Sequence, residues 1–208
     1  MQLILPATYR KREGAKVAIL ILGLAIFLGV HSIRVFADDW RTRQIAQRGE
    51  MTWKGVYALA SILGFVLICW GYGLARAQPV VLWTPPVWTR HLVGLLTLLA
   101  FVLIVAAYVP GNHFKAAIGH PMVVGVKTWA FAHLLANGRL AAVILFGSFL
   151  VWAIVLFAAS RRRDRAAGTR YPAGTAVRDV IVVIIGVVAW ALFAFELHRL
   201  LIGVRPFG

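Results

Sequence analysis

The chain lacks most of the motifs that soluble enzymes use. It has a single cysteine, Cys69, so it can form no intrachain disulfide and carries no CxxC metal or heme-attachment motif. Only 7 of its 208 residues are acidic. It contains no HExxH, GxSxG, P-loop or GxGxxG segment. These absences exclude the usual zinc-protease, serine-hydrolase and nucleotide-binding sites.

Apolar sequence dominates instead. Apolar residues make up 61% of the chain and occur in long runs almost free of charge, more than a soluble core can bury. We therefore predict an all-α integral membrane bundle of about six transmembrane helices, forming one domain over residues 1–208. A basic segment, 1–14, precedes spans at about 15–36, 55–75, 91–109, 120–136, 140–159 and 177–202.

The net charge of +15 lies mostly between the predicted spans. Basic residues are concentrated in the first and fifth loops, including the run from Arg161 to Arg163. The positive-inside rule puts these loops in the cytoplasm and both termini outside, although the basic N-terminal segment argues for the opposite orientation. We expect membrane lipids as partners and no nucleic acid, because the chain has no basic soluble domain.

The fourth predicted span contains the most informative segment, HPMVVGVKTWAFAHLLANG, which runs from His120 to Gly138. His133 lies in its second half, with Trp129 one turn earlier. An unpaired imidazole in hydrocarbon costs free energy, so His133 needs a hydrogen-bonding neighbour, a metal or a heme. His120 precedes Pro121 at the membrane boundary, where an imidazole can be satisfied by a hydrogen bond to a loop. It could also take the place of one of the histidine ligands of a heme.

A second buried histidine, His31, lies near the end of the first span, with Arg34 one turn later. In one interpretation, His31 is bonded to a serine or a backbone carbonyl and Arg34 reaches the lipid headgroups. In the other, His31 is a heme ligand and Arg34 pairs with a heme propionate. Two histidines on two helices can hold one iron from opposite faces, a geometry that this spacing permits but does not require. His198, with Glu196 and Arg199, is interpreted as a structural polar cluster.

These segments resemble the NnrU family of bacterial membrane proteins. HPMVVGVKTWAFAHLLANG, HSIR at the end of the first span and the terminal LHRLLIGVRPFG carry the resemblance, which extends from about Ala18 to the C-terminus. The family is associated with nitrite and nitric oxide respiration and shares its domain with the plastid zeta-carotene isomerase, a heme b enzyme. The resemblance implies heme b, a bacterial cytoplasmic (inner) membrane location, and His31 and His133 as the iron ligands.

Three positions depart from the isomerase-like pattern. Ala130 stands where the isomerase has a cysteine, Gly119 where isomerase-like members have arginine, and Arg139 where many relatives are acidic. The leading hypothesis is therefore a bis-histidine heme b protein in which Arg34, Trp129 and His120 lie near the cofactor, served by a membrane redox partner. The alternatives are a heme-dependent isomerase of a carotenoid or other isoprenoid lipid and a heme-free scaffold. A methyltransferase is disfavoured, because the Arg and Tyr of its RHPxYxG segment are missing.

Overall fold

A computed structural model describes residues 7–207, with side chains from Lys16 onward. The predicted basic segment, 1–14, lies outside the described residues except for its backbone from Ala7, which is helical. The helices in chain order are α1 (Ala7–Phe36), α2 (Asp38–Arg48), α3 (Glu50–Ala77), α4 (Thr89–Tyr108), α5 (His113–Ile118), α6 (Pro121–Ala136), α7 (Leu140–Ala166), α8 (Ala176–Leu192) and α9 (His198–Ile202). A π-helical turn, Phe193–Leu197, joins α8 to α9.

The all-helical membrane fold is confirmed. Five helical segments are long and apolar enough to cross a membrane, and they match the predicted first, second, third, fifth and sixth spans. The fourth corresponds to α6, whose 16 residues extend roughly 24 Å, somewhat less than a typical hydrocarbon core of about 30 Å. Large apolar side chains point outward from the helices, for example Leu59 and Val188, as expected for contact with lipid.

Two short helices were missed by the sequence analysis, which treated their residues as loop. In α2, polar residues dominate and no side chain is buried, so the segment has no apolar periodicity to indicate a helix. In α5, only six residues are helical. Helix α7 continues to Ala166, beyond the predicted end at 159, because a helix can extend into water when its side chains are charged.

The described chain divides into two compact units. Unit 1 contains the chain up to Trp83 together with Arg139–Ser148, and unit 2 contains Thr84–Gly138 and the chain from Phe149 onward. In unit 1, α1 packs closely against α3. A Cβ at Gly23 would lie 2.6 Å from the Ile68 backbone nitrogen, so this close approach of two backbones requires glycine.

In unit 2, α4 packs against both α6 and α8. Ala100 and Ala106 of α4 and Val182 of α8 are fully buried. Glycines again permit close approach: a Cβ at Gly125 of α6 would lie 2.9 Å from the Ala100 carbonyl oxygen, and one at Gly186 of α8 would lie 2.8 Å from the Val102 Cα. The two glycines therefore bring α6 and α8 to the same level of α4.

Candidate functional site

His31 lies in the last turns of α1, within unit 1, and is partly buried. Its Nδ1 is 2.7 Å from the Phe27 carbonyl oxygen. The imidazole stacks on the Phe27 ring at 4.2 Å between centroids, and the Tyr57 ring lies 5.3 Å away. Because a carbonyl oxygen only accepts hydrogen bonds, Nδ1 carries the proton and Nε2 carries the lone pair. This is the tautomer that binds a metal through Nε2.

Arg34 follows one turn after His31 and is exposed. It is the basic residue of the last turn of α1, and no carboxylate of the described residues pairs with it. Ser32, which lies between them, donates its hydroxyl proton to the Leu28 carbonyl at 2.6 Å. The serine is therefore bonded to its own helix, and of the two partners predicted for His31, a serine or a backbone carbonyl, the structure shows the carbonyl of Phe27.

His133 lies in the second half of α6, within unit 2, and repeats the local geometry of His31. Its Nδ1 is 2.9 Å from the Trp129 carbonyl oxygen, so the proton is again on Nδ1 and the lone pair on Nε2. The Trp129 ring lies 5.2 Å from the imidazole and meets the Phe149 ring edge-on at 5.6 Å. Asn137 donates to the His133 carbonyl at 2.8 Å and so supports the helix end at this residue.

His120 differs from His31 and His133 in its bonding. Its Nε2 lies 2.9 Å from Asp164 Oδ2, and the Tyr171 hydroxyl donates to the same oxygen at 2.9 Å. Arg161 lies 3.6 Å from that oxygen. Since a carboxylate accepts hydrogen bonds, the His120 Nε2 carries a proton and is not a lone-pair donor. Partial burial and the bond to Asp164 raise the pKa of Tyr171 above its ordinary value, which keeps this phenol protonated as a donor.

The surroundings of Gly119 explain why this chain has glycine where isomerase-like members have arginine. Gly119 has a φ of 78°, a left-handed conformation that favours glycine. A Cβ there would lie 2.8 Å from the Tyr171 ring and 2.9 Å from the Arg161 Nη1. The Tyr171 ring and the Arg161 guanidinium therefore occupy the space that a side chain at position 119 would enter. The positive charge of Arg161 comes from α7 and lies near the Asp164 carboxylate that binds His120.

A second histidine–aspartate pair lies at the start of α5. Asp179 accepts from the His113 backbone N–H at 2.8 Å, and its other oxygen lies 2.6 Å from the His113 Nδ1. The His113 side chain is 60% exposed. This pair joins α5 to α8 at the protein surface, and its exposure sets His113 apart from His31 and His133.

All of these residues lie within a match to a known protein family. The family model described as NnrU protein matches residues 19–206. The chain belongs to the NnrU family. Neither the search of curated proteins nor that of solved structures found a match. The match runs from α1 through the C-terminal tail, so every candidate residue in this NnrU-family protein lies inside it.

The donor set of this NnrU-family protein fits a heme better than a bare metal ion. Among the described residues, no group of three or more His, Cys, Asp or Glu side chains is gathered to hold a metal. A porphyrin supplies four ligands itself, so it needs only one or two imidazoles with the lone pair on Nε2. His31 and His133 both have that tautomer. The Asp164 and Tyr171 partners of His120 could not be predicted from the sequence, since no local pattern marks contacts across 44 and 51 positions.

Proposed function

We propose that this multi-pass NnrU-family protein binds heme b, and that His133 and His31, the ligand pair implied by the family resemblance, would hold its iron. The observation that carries the proposal is the hydrogen bond that orients each imidazole. Each donates its Nδ1 proton to a carbonyl oxygen of its own helix, at 2.9 Å and 2.7 Å respectively. Histidines that ligate metals usually donate their other ring N–H in this way, which orients the ring and makes Nε2 a better ligand.

Each neighbouring candidate has a distinct role in this proposal. Arg34 is exposed at the end of α1 and pairs with a heme propionate. Trp129 supplies both the carbonyl that orients His133 and a ring 5.2 Å from the imidazole. His120 is a positioning residue rather than a ligand, because its Nε2 proton is bound to Asp164. It holds the N-terminus of α6 against α7.

The proposed heme supplies a redox-active iron. With His31 and His133 both on the iron, the heme would have no open coordination position and would suit electron transfer or sensing better than gas binding. The family resemblance implies a role in nitrite and nitric oxide respiration in the bacterial cytoplasmic membrane, with a membrane redox partner. The protein's own contribution is to orient each imidazole by a hydrogen bond from its Nδ1 to a carbonyl oxygen of the same helix.

The test uses the full chain purified in mild detergent. We expect a sharp Soret band, split bands after reduction and about one heme b per chain by the pyridine hemochrome assay. His133→Ala should remove the low-spin six-coordinate spectrum, since the variant loses one axial ligand. His113→Ala is the matched control, because His113 is exposed and bound to Asp179, and its spectrum should equal that of the wild type. Absence of heme from the wild type, or an unchanged His133→Ala spectrum, would refute the proposal and favour a heme-free scaffold.

A second candidate is heme-dependent isomerisation of a cis double bond in a carotenoid or other isoprenoid lipid. Outward-facing apolar side chains on α8, such as Ile184 and Val188, would contact an isoprenoid lipid dissolved in the bilayer. Ala130 is fully buried and carries no thiol, so a cysteine-based ligand exchange at that position is absent. Conversion of a cis-carotenoid by the reduced protein, and not by the oxidised protein, is the result that would favour this candidate.

A further inference from the structure

Lys127 is the only lysine, arginine, aspartate or glutamate in the apolar helix α6, and it is partly buried. Its ammonium lies over the Phe157 ring of α7, 5.0 Å from the ring centroid. No oxygen atom of the described residues accepts a hydrogen bond from it. A cation–π contact stabilises an ammonium by less than its removal from water costs. Lys127 therefore needs a further, anionic partner, and a charged side chain at membrane depth is typical of a functional site.

Two side-chain contacts within unit 2 show how α6 and α7 run past each other. His120, which precedes α6, lies 2.9 Å from the Asp164 carboxylate of α7. Seven residues further along α6 (120 to 127) and seven residues back along α7 (164 to 157), Lys127 meets Phe157. The two helices are therefore antiparallel, and positions seven apart share one helix face. Helical side chains point towards the N-terminus of their helix, so the Lys127 ammonium points towards the membrane boundary at His120.

Arg161 of α7 is a second cation on this face. It follows Phe157 by four residues, so its backbone lies roughly 6 Å closer to the same membrane boundary. Its Nη1 is 3.6 Å from Asp164 Oδ2, which is too long for a hydrogen bond. That carboxylate oxygen accepts from the His120 imidazole and the Tyr171 hydroxyl instead. The N–H groups of Arg161 therefore remain available to a ligand, since a guanidinium has five of them.

The contact between Lys127 and Phe157 lies at the lipid-facing edge of the two helices. One turn beyond Lys127, Phe131 is 47% exposed, and one turn before Phe157, Ile154 is 50% exposed. On the opposite flank of this α7 face, Ser160 is buried. A ligand at this edge would have its charged group beside Lys127 and its apolar part against Phe131 and Ile154. This combination is typical of a phospholipid.

The surrounding charge selects an anionic ligand. The end of α7 and the loop that follows it, 161–170, contain five arginines and one aspartate. The positive-inside rule places this loop in the cytoplasm, and the cytoplasmic leaflet carries the anionic lipids. Basic sites between transmembrane helices on this side bind the phosphate groups of such lipids.

We propose that Lys127 and Arg161 bind the phosphate of one anionic phospholipid at the lipid-facing edge of α6 and α7. The ammonium binds the phosphate from the membrane side and the guanidinium binds it from the water side, both through charge-assisted hydrogen bonds. The acyl chains lie against Phe131 and Ile154. The site uses neither candidate heme ligand, so it is independent of the proposed function.

Native mass spectrometry of the full chain in detergent measures the affinity for the first bound molecule of phosphatidylglycerol. In ammonium acetate at about 1 M, a screening length of about 3 Å suppresses attraction to exposed arginines but acts less on a partly buried cation. We expect Lys127→Gln to bind this lipid about tenfold more weakly, because it loses a charge-assisted bond. Lys127→Arg keeps the charge and should bind like the wild type. Lys54→Gln is the matched control, since Lys54 is exposed and paired with Glu50 at 2.9 Å.

A second pair of variants tests the same site from α7. Arg161→Gln should also weaken binding of the first phosphatidylglycerol, whereas Arg162→Gln, which changes an exposed neighbour, should not. Equal affinities of Arg161→Gln and Arg162→Gln would overturn the site even if Lys127→Gln failed to fold. Equal affinities of Lys127→Gln and Lys54→Gln would overturn the role of Lys127.

Two other ligands identify the source of the phosphate. Phosphatidylcholine contains the same phosphate but has no net charge, so it should bind more weakly than phosphatidylglycerol. Inorganic phosphate at the same concentration should leave the bound lipid in place, because it has no acyl chains to contact Phe131 and Ile154. Equal binding of phosphatidylcholine would contradict selection of an anionic lipid. Displacement by inorganic phosphate would show a site for free phosphate and would overturn the assignment to a lipid.

Discussion

Replacing Gly125 by alanine should force α6 away from α4. The new Cβ would lie 2.9 Å from the Ala100 carbonyl oxygen and 3.0 Å from the Ile104 Cγ1. Ordinary contacts of this kind begin near 3.4 Å. The Ile104 side chain can rotate, but the Ala100 oxygen belongs to the backbone of a packed helix. The helices must therefore separate by about half an ångström, as for other small-to-large changes in a packed interior.

The expected cost follows from a comparison with Gly73→Ala in α3. A Cβ at Gly73 would meet nothing within 4 Å. Both substitutions gain a similar helix propensity of about 1 kcal/mol, and this gain cancels when the two variants are compared. The remaining difference is the overpacking cost, about 1–3 kcal/mol. It corresponds to roughly a 5- to 150-fold change in the unfolding equilibrium constant.

Unfolding in mixed detergent micelles, followed by circular dichroism across a dodecyl sulfate titration, measures this difference. Gly125→Ala should unfold at a lower dodecyl sulfate fraction than the wild type, whereas Gly73→Ala should be equal to it or more stable. If Gly125→Ala proves as stable as Gly73→Ala, the close approach of α6 and α4 is wrong.

Three further outcomes are expected. Thr97→Val removes the acceptor of the Trp190 indole proton and should cost about 0.5–1.7 kcal/mol in the same unfolding assay; no change in stability would show that the bond contributes nothing. Because the pKa of Tyr171 is raised, its phenol contributes stability that is present below the ordinary pKa of about 10 and is lost as pH rises through the raised value. An ultraviolet titration should accordingly lose a late component in Tyr171→Phe, and identical titration curves would contradict this. Arg34→Gln should weaken heme retention about tenfold through loss of a charge-assisted bond to a propionate, whereas Arg43→Gln in α2 should not; equal retention would exclude the propionate role.

The membrane fold could be predicted from the sequence because its signals are local. A span needs about 20 apolar residues in succession, and runs of this kind mark five of the six predicted crossings. The fourth, α6, was also predicted, since Pro121 and Asn137 bound its apolar run. Helix α2 escaped prediction because a polar helix at the membrane surface has no apolar stripe to indicate it.

The candidate ligands were predicted less completely. His31 and His133 stood out because an imidazole in an apolar run demands a partner. The hydrogen bond from each Nδ1 to the carbonyl four residues earlier is local, yet any helical histidine has such a carbonyl nearby, so the sequence does not say when the bond forms. His198 was interpreted as part of a structural polar cluster with Glu196 and Arg199, and its bond to the Val204 carbonyl could not be predicted because it depends on the turn at Gly203.

The sequence by itself determined that this NnrU-family protein is a helical membrane protein with histidines at membrane depth, since hydropathy and span length act on consecutive residues. Only the tertiary structure decided which distant residue bonds to His120, and therefore which of its ring nitrogens carries the proton. The bond from His120 to Asp164 and the close approach of α6 and α8 to α4 depend on packing between distant segments. The helices pack closely where glycines let their backbones approach each other, and the hydropathy pattern does not show which helices pair in this way.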